Sequence, residues 1–176
     1  MNRNTRTLVS CALLAAAYAV CTVAFAPLSY GAIQIRFSEA LTLLAVFSPW
    51  SVAAVGAGCL VSNFTGMLLG LTTALDVIVG PIATLLAAIM SCALRNARFF
   101  KLPVLSALMP VIFNGLIIGA MLTSFGAFTL PVFLFNAGSV ALGESIACFA
   151  LGLPLVYALE RTKLDIKLFG AAPGGI

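Results

Sequence analysis

From Leu8 to Ala26 the chain carries no charge. That run is long enough to cross a bilayer core, which takes about 20 apolar residues of helix. Inside hydrocarbon each backbone N–H and C=O must find its partner within the protein, so only helices and closed barrels cross. Five further apolar stretches follow. The reading is an all-α integral membrane protein with about six crossings in 176 residues. Composition agrees: 62% of residues are hydrophobic and 8% charged, where a water-soluble domain has about 25% charged. Disorder is excluded on the same ground. There is no histidine, so histidine-based acid–base, triad and metal chemistry is absent.

The predicted spans are about 8–26, 38–49, 51–69, 74–94, 103–122 and 131–159, within one membrane domain of residues 1–169. A tail at 170–176 (GAAPGGI) reads as flexible. Pro27, Tyr30 and Gly31 end the first span, and residues 28–37 form a partly alternating, extended connection. Ser38 is expected to cap a short second helix, with Pro49 ending it; that helix should begin below the membrane surface, inside protein. Thr73 to Asp76 has the form of a capping box opening the fourth span, which Pro81 should kink. Pro131 suits the first turn of the sixth.

Eight of the nine basic residues fall in three clusters: Arg3 and Arg6, then Arg95, Arg98 and Lys101, then Arg161, Lys163 and Lys167. With six spans these clusters share one side, which the positive-inside rule makes cytoplasmic, so both termini lie inside. Trp50 then belongs to an interfacial belt. The net charge of +4 therefore reports membrane orientation rather than nucleic-acid binding. Cys11, Cys21, Cys59, Cys92 and Cys148 are widely spaced with no CxxC pair, and read as small packing residues. No metal or cofactor is expected. The first apolar run lacks a convincing cleavage site, so no removable signal is expected. Without a P-loop or a GxGxxG motif, the chain itself does not hydrolyse ATP.

Arg36, Glu39, Asp76 and Glu144 are the ionisable residues away from the basic clusters. Such groups cost about 2.5–3.5 kcal/mol or more in hydrocarbon and normally face a bundle interior. Arg36 and Glu39 stand at the outer start of the second helix and Asp76 at that of the fourth. Glu144 falls about 20 Å along the sixth, near the midplane. Asn63, Asn114 and Asn136 also belong to the outer half, with Asn136 two turns above Glu144 on roughly the same face. Below the midplane there is no charge until the basic clusters. The pattern predicts a polar pocket open to the outside and closed below, unlike a pore, which needs polar lining at every depth. Three acids against one base leave −2, which a ligand carrying an amine relieves. Each residue also has a plainer reading. Glu39 and Asp76 suit helix N-termini, Arg36 an interfacial snorkel, and the asparagines interhelical bonds.

Small residues repeat at intervals of four on the first helix, as Ala12/Ala16 and Ala15/Ala19. They also repeat at Gly66/Gly70 and Gly115/Gly119. Such faces let another helix approach closely.

Three segments carry a resemblance to a known family. They are Ser29-Tyr-Gly-Ala-Ile-Gln-Ile-Arg-Phe-Ser-Glu-Ala-Leu-Thr-Leu-Leu44, Leu75-Asp-Val-Ile-Val-Gly-Pro-Ile-Ala-Thr-Leu-Leu-Ala87, and Val140-Ala-Leu-Gly-Glu-Ser-Ile146 with Leu151-Gly-Leu-Pro154 after it. Over about residues 5–160 the chain resembles the QueT family, substrate-binding (S) components of bacterial energy-coupling factor (ECF) transporters. The resemblance implies a six-helix bundle in the bacterial cytoplasmic membrane. It implies uptake of queuosine or a precursor (queuine, preQ1, preQ0), with a transmembrane coupling protein and two ABC ATPases as partners. It carries Tyr30, Gln34, Arg36, Glu39, Asp76 and Glu144 over as substrate-site positions, and it makes the small faces of helix one, Ala12, Ala15, Ala16 and Ala19, the docking surface. Arg36, Tyr30 and Phe37 then form a lid loop. Gly138 and Ser139 depart from the family pattern by being small, which would enlarge the pocket. Two other readings stay open: an S component for another vitamin, such as a flavin or thiamine, and a solitary homo-oligomeric secondary transporter. An intramembrane enzyme has no nucleophile–base spacing to support it.

Overall fold

A computed structural model describes residues 3–31, 34–126 and 128–169. The tail expected at 170–176 lies outside them. Among the described residues the chain is helical throughout. Its elements are α1 (Arg3–Ala24), α2 (Ala26–Ser29), a 3-10 helix (Phe37–Val46), α3 (Pro49–Leu68), α4 (Ala74–Ala93) and α5 (Val104–Ser124). Then come α6 (Leu130–Ser145), a π-helical turn (Ile146–Gly152), α7 (Leu153–Thr162) and α8 (Leu164–Phe169).

Five of these segments are long and apolar enough to cross a membrane: Thr7–Ala24, Pro49–Leu68, Ala74–Ala93, Val104–Ser124 and the continuous rod Leu130–Thr162. The second predicted span, 38–49, is not among them; six long spans are not found among the described residues, and the short apolar helix Phe37–Val46 stands in its place. It differs from expectation at both ends. Arg36 occupies the N-cap and Ser38 lies inside the helix, its hydroxyl accepting from Thr22 at 2.7 Å. Pro49 does not end that helix but begins α3, where its fixed φ and missing N–H suit the first turn, behind the N-cap Ser48.

Paired contacts show why a short helix stands there. Cys11 meets the Trp50 carbonyl at 3.5 Å, a Cβ on Gly58 would lie 2.7 Å from that of Tyr18, and Tyr30 donates to the Ser62 carbonyl at 2.8 Å. So α1 and α3 run side by side in the same direction, and the chain between them has to return through the thickness of the bundle. A 3-10 helix rises about 2.0 Å per residue, so its ten residues cover about 20 Å, against about 15 Å as α-helix. Ser38, Glu39, Ala40, Thr42, Leu43, Leu44, Ala45 and Val46 are all buried, so the return passes through the protein.

The capping box of α4 is present: the Asp76 carboxylate takes the Thr73 backbone N–H at 3.0 Å and its hydroxyl at 2.7 Å. The sixth predicted span, 131–159, is longer than expected and changes register at Ile146–Gly152. Pro154 accounts for the change, because its ring has no N–H and clashes with the carbonyl four residues back, which the wider π turn accommodates. The polar linker after α4 is a tight hairpin, Phe99 and Leu102 exchanging backbone bonds at 2.9 and 3.0 Å across Phe100 and Lys101. Those two residues take the positive φ that a type I′ turn requires.

Arg98 pairs with Glu160 at 2.7 Å, Ser10 donates to the Leu168 carbonyl at 3.1 Å, and Phe47 stacks on Phe169 at 5.7 Å. The three basic segments therefore share one end of the bundle. The outside is apolar, with Leu8, Leu13, Val20, Leu68, Ile78 and Phe135 exposed. The inside holds Arg36, Glu39, Asn63, Asn114 and Glu144 among Leu14, Tyr18, Leu43, Val55 and Cys148. This inversion of the soluble pattern suits a protein solvated by lipid.

Candidate functional site

Arg36 ends the extended segment that descends into the bundle, and it is 5% exposed. Its Nε reaches the Ser29 carbonyl at 3.4 Å, its Nη1 lies 4.0 Å from the Cys59 sulfur, and its guanidinium stands 5.6 Å from the Tyr30 ring centre. No carboxylate lies within ion-pair distance of it among the described residues. Burial pushes the Tyr30 phenol above its ordinary value, so it stays a neutral donor to Ser62. Phe37 packs edge-on against Phe25 at 5.1 Å. The segment is held from the far side by α6. A Cβ on Gly143 would collide with the Gln34 carbonyl oxygen and stand 3.2 Å from the Ile35 Cα, so only glycine admits this backbone. Gln34 itself is buried.

Glu39 is fully buried and fully engaged. Tyr18 of α1 donates to its Oε1, Thr84 of α4 donates to the same oxygen at 2.9 Å, and Thr42 donates to Oε2 at 2.7 Å. Thr42 is in reach because side chains three apart eclipse in a 3-10 helix. The expectation of a ligand-binding Glu39 meets a different geometry here: the carboxylate ties α1 and α4 to the short helix. Asp76 is likewise occupied by its capping box, but its backbone carbonyl accepts from Asn63 at 2.8 Å. Gly80 makes room for that amide, since a Cβ there would strike Asn63 Nδ2 and lie 3.7 Å from Arg36 Nη1.

Glu144 on α6 receives Asn114 of α5 at 2.9 Å. Both are about 3% exposed, and Glu39 and Arg36 are near enough to act on Glu144 electrostatically. Asn136 is elsewhere: it donates to Thr123 at 3.1 Å and bridges α6 to α5 near the end of α5. Gly138 faces open space, so its small size does not enlarge the polar interior. Cys59, read from sequence as packing, is part of the polar group, with Thr84 Oγ1 at 3.4 Å and Asn63 Nδ2 at 3.6 Å from its sulfur. Tyr18, Thr42 and Thr84 join it through Glu39, and sequence pattern does not single them out. Only the four-residue spacing of Tyr18 and Thr22 on one face of α1 hints at a buried polar stripe.

Five buried atoms in this region have no partner: Ser29 Oγ, Arg36 Nη2, Asn63 Oδ1, Asn114 Oδ1 and Glu144 Oε2. Each costs about 1–3 kcal/mol when left unsatisfied, more if charged. Four of the five lie on sequence-nominated residues and mark the interior that a polar ligand would complete.

On helix one the two small faces separate. Ala12 and Ala16 are exposed beside Leu13 and Val20. Ala15 and Ala19 turn inward, where the Ala15 carbonyl would lie 2.8 Å from a Cβ on Gly58 of α3. Gly115 and Gly119 pack against Ala141 and Ala137 of α6, and Gly70, at φ +71°, belongs to the turn after α3.

Residues 8–161 match the family model described as QueT transporter. A curated relative, the queuosine precursor transporter QueT of Lactococcus lactis subsp. cremoris, is 39% identical over 84 residues, and the matched stretch is 47% of this chain and 47% of that protein. This chain thus spans about half the length of that relative in the match. No solved structure matches the chain.

Proposed function

The chain belongs to the QueT transporter family, and from that premise we propose that it is the substrate-specificity component of an ECF-type importer for queuosine or a precursor. The observation that carries the reading is the set of four orphaned polar atoms on Arg36, Asn63, Asn114 and Glu144. A 7-deazaguanine brings a ring carbonyl, a ring N–H and an exocyclic amine, which match donors and acceptors of this kind.

In this reading the protein lies in a bacterial cytoplasmic membrane with the basic end and both termini inside. The outer connection bearing Tyr30, Gln34, Arg36 and Phe37 forms the lid. Arg36 binds from above, Asn63 from the side, and Glu144 with Asn114 from below. Glu39 and Asp76 act by holding the elements that present these groups. The apolar lower half seals the pocket against the cytoplasm, so delivery requires an energised movement. That movement is driven by a transmembrane coupling protein and two ABC ATPases, which dock on the exposed Ala12–Ala16 face of α1. Ala15 and Ala19 serve the internal α1–α3 contact.

The test is equilibrium binding to the detergent-purified protein with queuine, preQ1, preQ0, queuosine, riboflavin and thiamine in parallel. Submicromolar binding confined to the deazaguanines is the expected result. Binding of riboflavin or thiamine alone overturns the ligand class and keeps the S-component reading. Binding of none returns the solitary-transporter reading.

A further inference from the structure

Four of the orphaned atoms, those on Arg36, Asn63, Asn114 and Glu144, divide into two chemically different pairs. Arg36 Nη2 is a donor and Asn63 Oδ1 an acceptor, and their side chains meet at Cys59, 4.0 Å from Arg36 Nη1 and 3.6 Å from Asn63 Nδ2. One donor and one acceptor are the groups a lactam edge needs, a ring carbonyl and a ring N–H. The second pair is Glu144 Oε2 and Asn114 Oδ1. Asn114 spends an N–H on Glu144 Oε1 at 2.9 Å, and a carboxylate beside it fixes which way the amide points. With Glu144 ionised, both free atoms of this pair are acceptors.

Charge separates the pairs as well. Arg36 is the cation among the described buried residues, and Glu39, Asp76 and Glu144 are buried carboxylates of the same region. Glu39 has three hydroxyl donors; Glu144 has one amide. Carboxylates outnumber the one cation, and the undersupplied oxygen is on Glu144. A buried carboxylate with a free oxygen beside a second acceptor calls for a group with several N–H bonds and a positive charge.

We propose that Glu144 and Asn114 form an ammonium subsite, which makes the protein select 7-deazaguanines carrying a basic amine on the 7-substituent over those with a neutral substituent there. The inference rests on the deazaguanine reading above and goes further by assigning the amine to one end of the site. The lactam edge then faces Arg36 and Asn63.

The experiment compares Kd values of the purified protein for 7-aminomethyl-7-deazaguanine and 7-cyano-7-deazaguanine at pH 7, by calorimetry in detergent. The aminomethyl compound should bind at least tenfold tighter, about 1.4 kcal/mol. In Glu144→Gln, which keeps the shape and removes the charge, that ratio should collapse to within about threefold, with the loss falling on the aminomethyl compound. A nitrile that binds as tightly as the amine, or a ratio unchanged in Glu144→Gln, overturns the subsite and leaves the deazaguanine reading standing. If neither compound binds the wild type, the deazaguanine reading fails, and the subsite with it. Should Glu144→Gln not fold, the wild-type ranking decides.

Discussion

Gly143→Ala tests the joint on which the site depends. The added Cβ collides with the Gln34 carbonyl oxygen, with the Gln34 carbonyl carbon at 2.8 Å and the Ile35 Cα at 3.2 Å. All three obstacles are backbone atoms, so no side chain can swing aside; residues 34–36 must lift, or α6 must move. Overpacking of this kind costs about 1–3 kcal/mol. Alanine returns about 1 kcal/mol of helix propensity over glycine. The net loss of stability is then about 0–2 kcal/mol, a fall in Tm of up to roughly 8 °C for a chain of this size. Binding suffers more. Arg36 follows Gln34 by two residues, and its Nε already reaches Ser29 at the long distance of 3.4 Å, so a shift of about half an ångström removes that bond. Affinity for the deazaguanine ligand should fall at least tenfold, about 1.4 kcal/mol, measured by calorimetry in detergent. Gly138→Ala is the control: it lies on the same helix with no atom within 4 Å, and it should keep affinity and Tm or raise the latter slightly. Wild-type Tm and affinity in Gly143→Ala would refute the packing of 34–36 against α6.

Tyr18→Phe removes one of the three hydroxyls on Glu39. Hydrogen bonds to charged groups are worth about 1.5–3 kcal/mol, so Tm should drop by roughly 3–12 °C in a thermal-shift assay, and an unchanged Tm counts against the tie between α1 and the short helix. Ala16→Trp enlarges the exposed face of α1; whole-cell uptake should be lost while Kd stays within about threefold, and surviving uptake removes this face as the docking surface. Thr73→Ala opens the capping box of α4 and should lower stability by about 1 kcal/mol with little change in Kd; a Kd change of tenfold would place Asp76 in the binding surface instead.

Lipid solvation made much of this protein legible from its residues alone. Apolar runs the length of a bilayer crossing must be helices, because hydrocarbon offers no partner to an open backbone. Thr73 and Asp76 announce their cap by local spacing, and the nomination of Arg36, Asn63, Asn114 and Glu144 followed from the cost of burying polar groups away from any chain-local partner. Tertiary structure decided what periodicity cannot carry. Residues 38–49 read as a helix, yet whether it would be a full span, and in which helical form, depended on α1 and α3 running in the same direction and on how little width remained between them. Partner choice was equally nonlocal: Glu39 is filled by hydroxyls from residues 18, 42 and 84, Asn136 by Thr123, and Cys59 sits among polar groups from three elements. A residue's type states that it needs a partner. Only the packing of distant segments determines which atoms are taken and which, like Glu144 Oε2, are left open for a ligand.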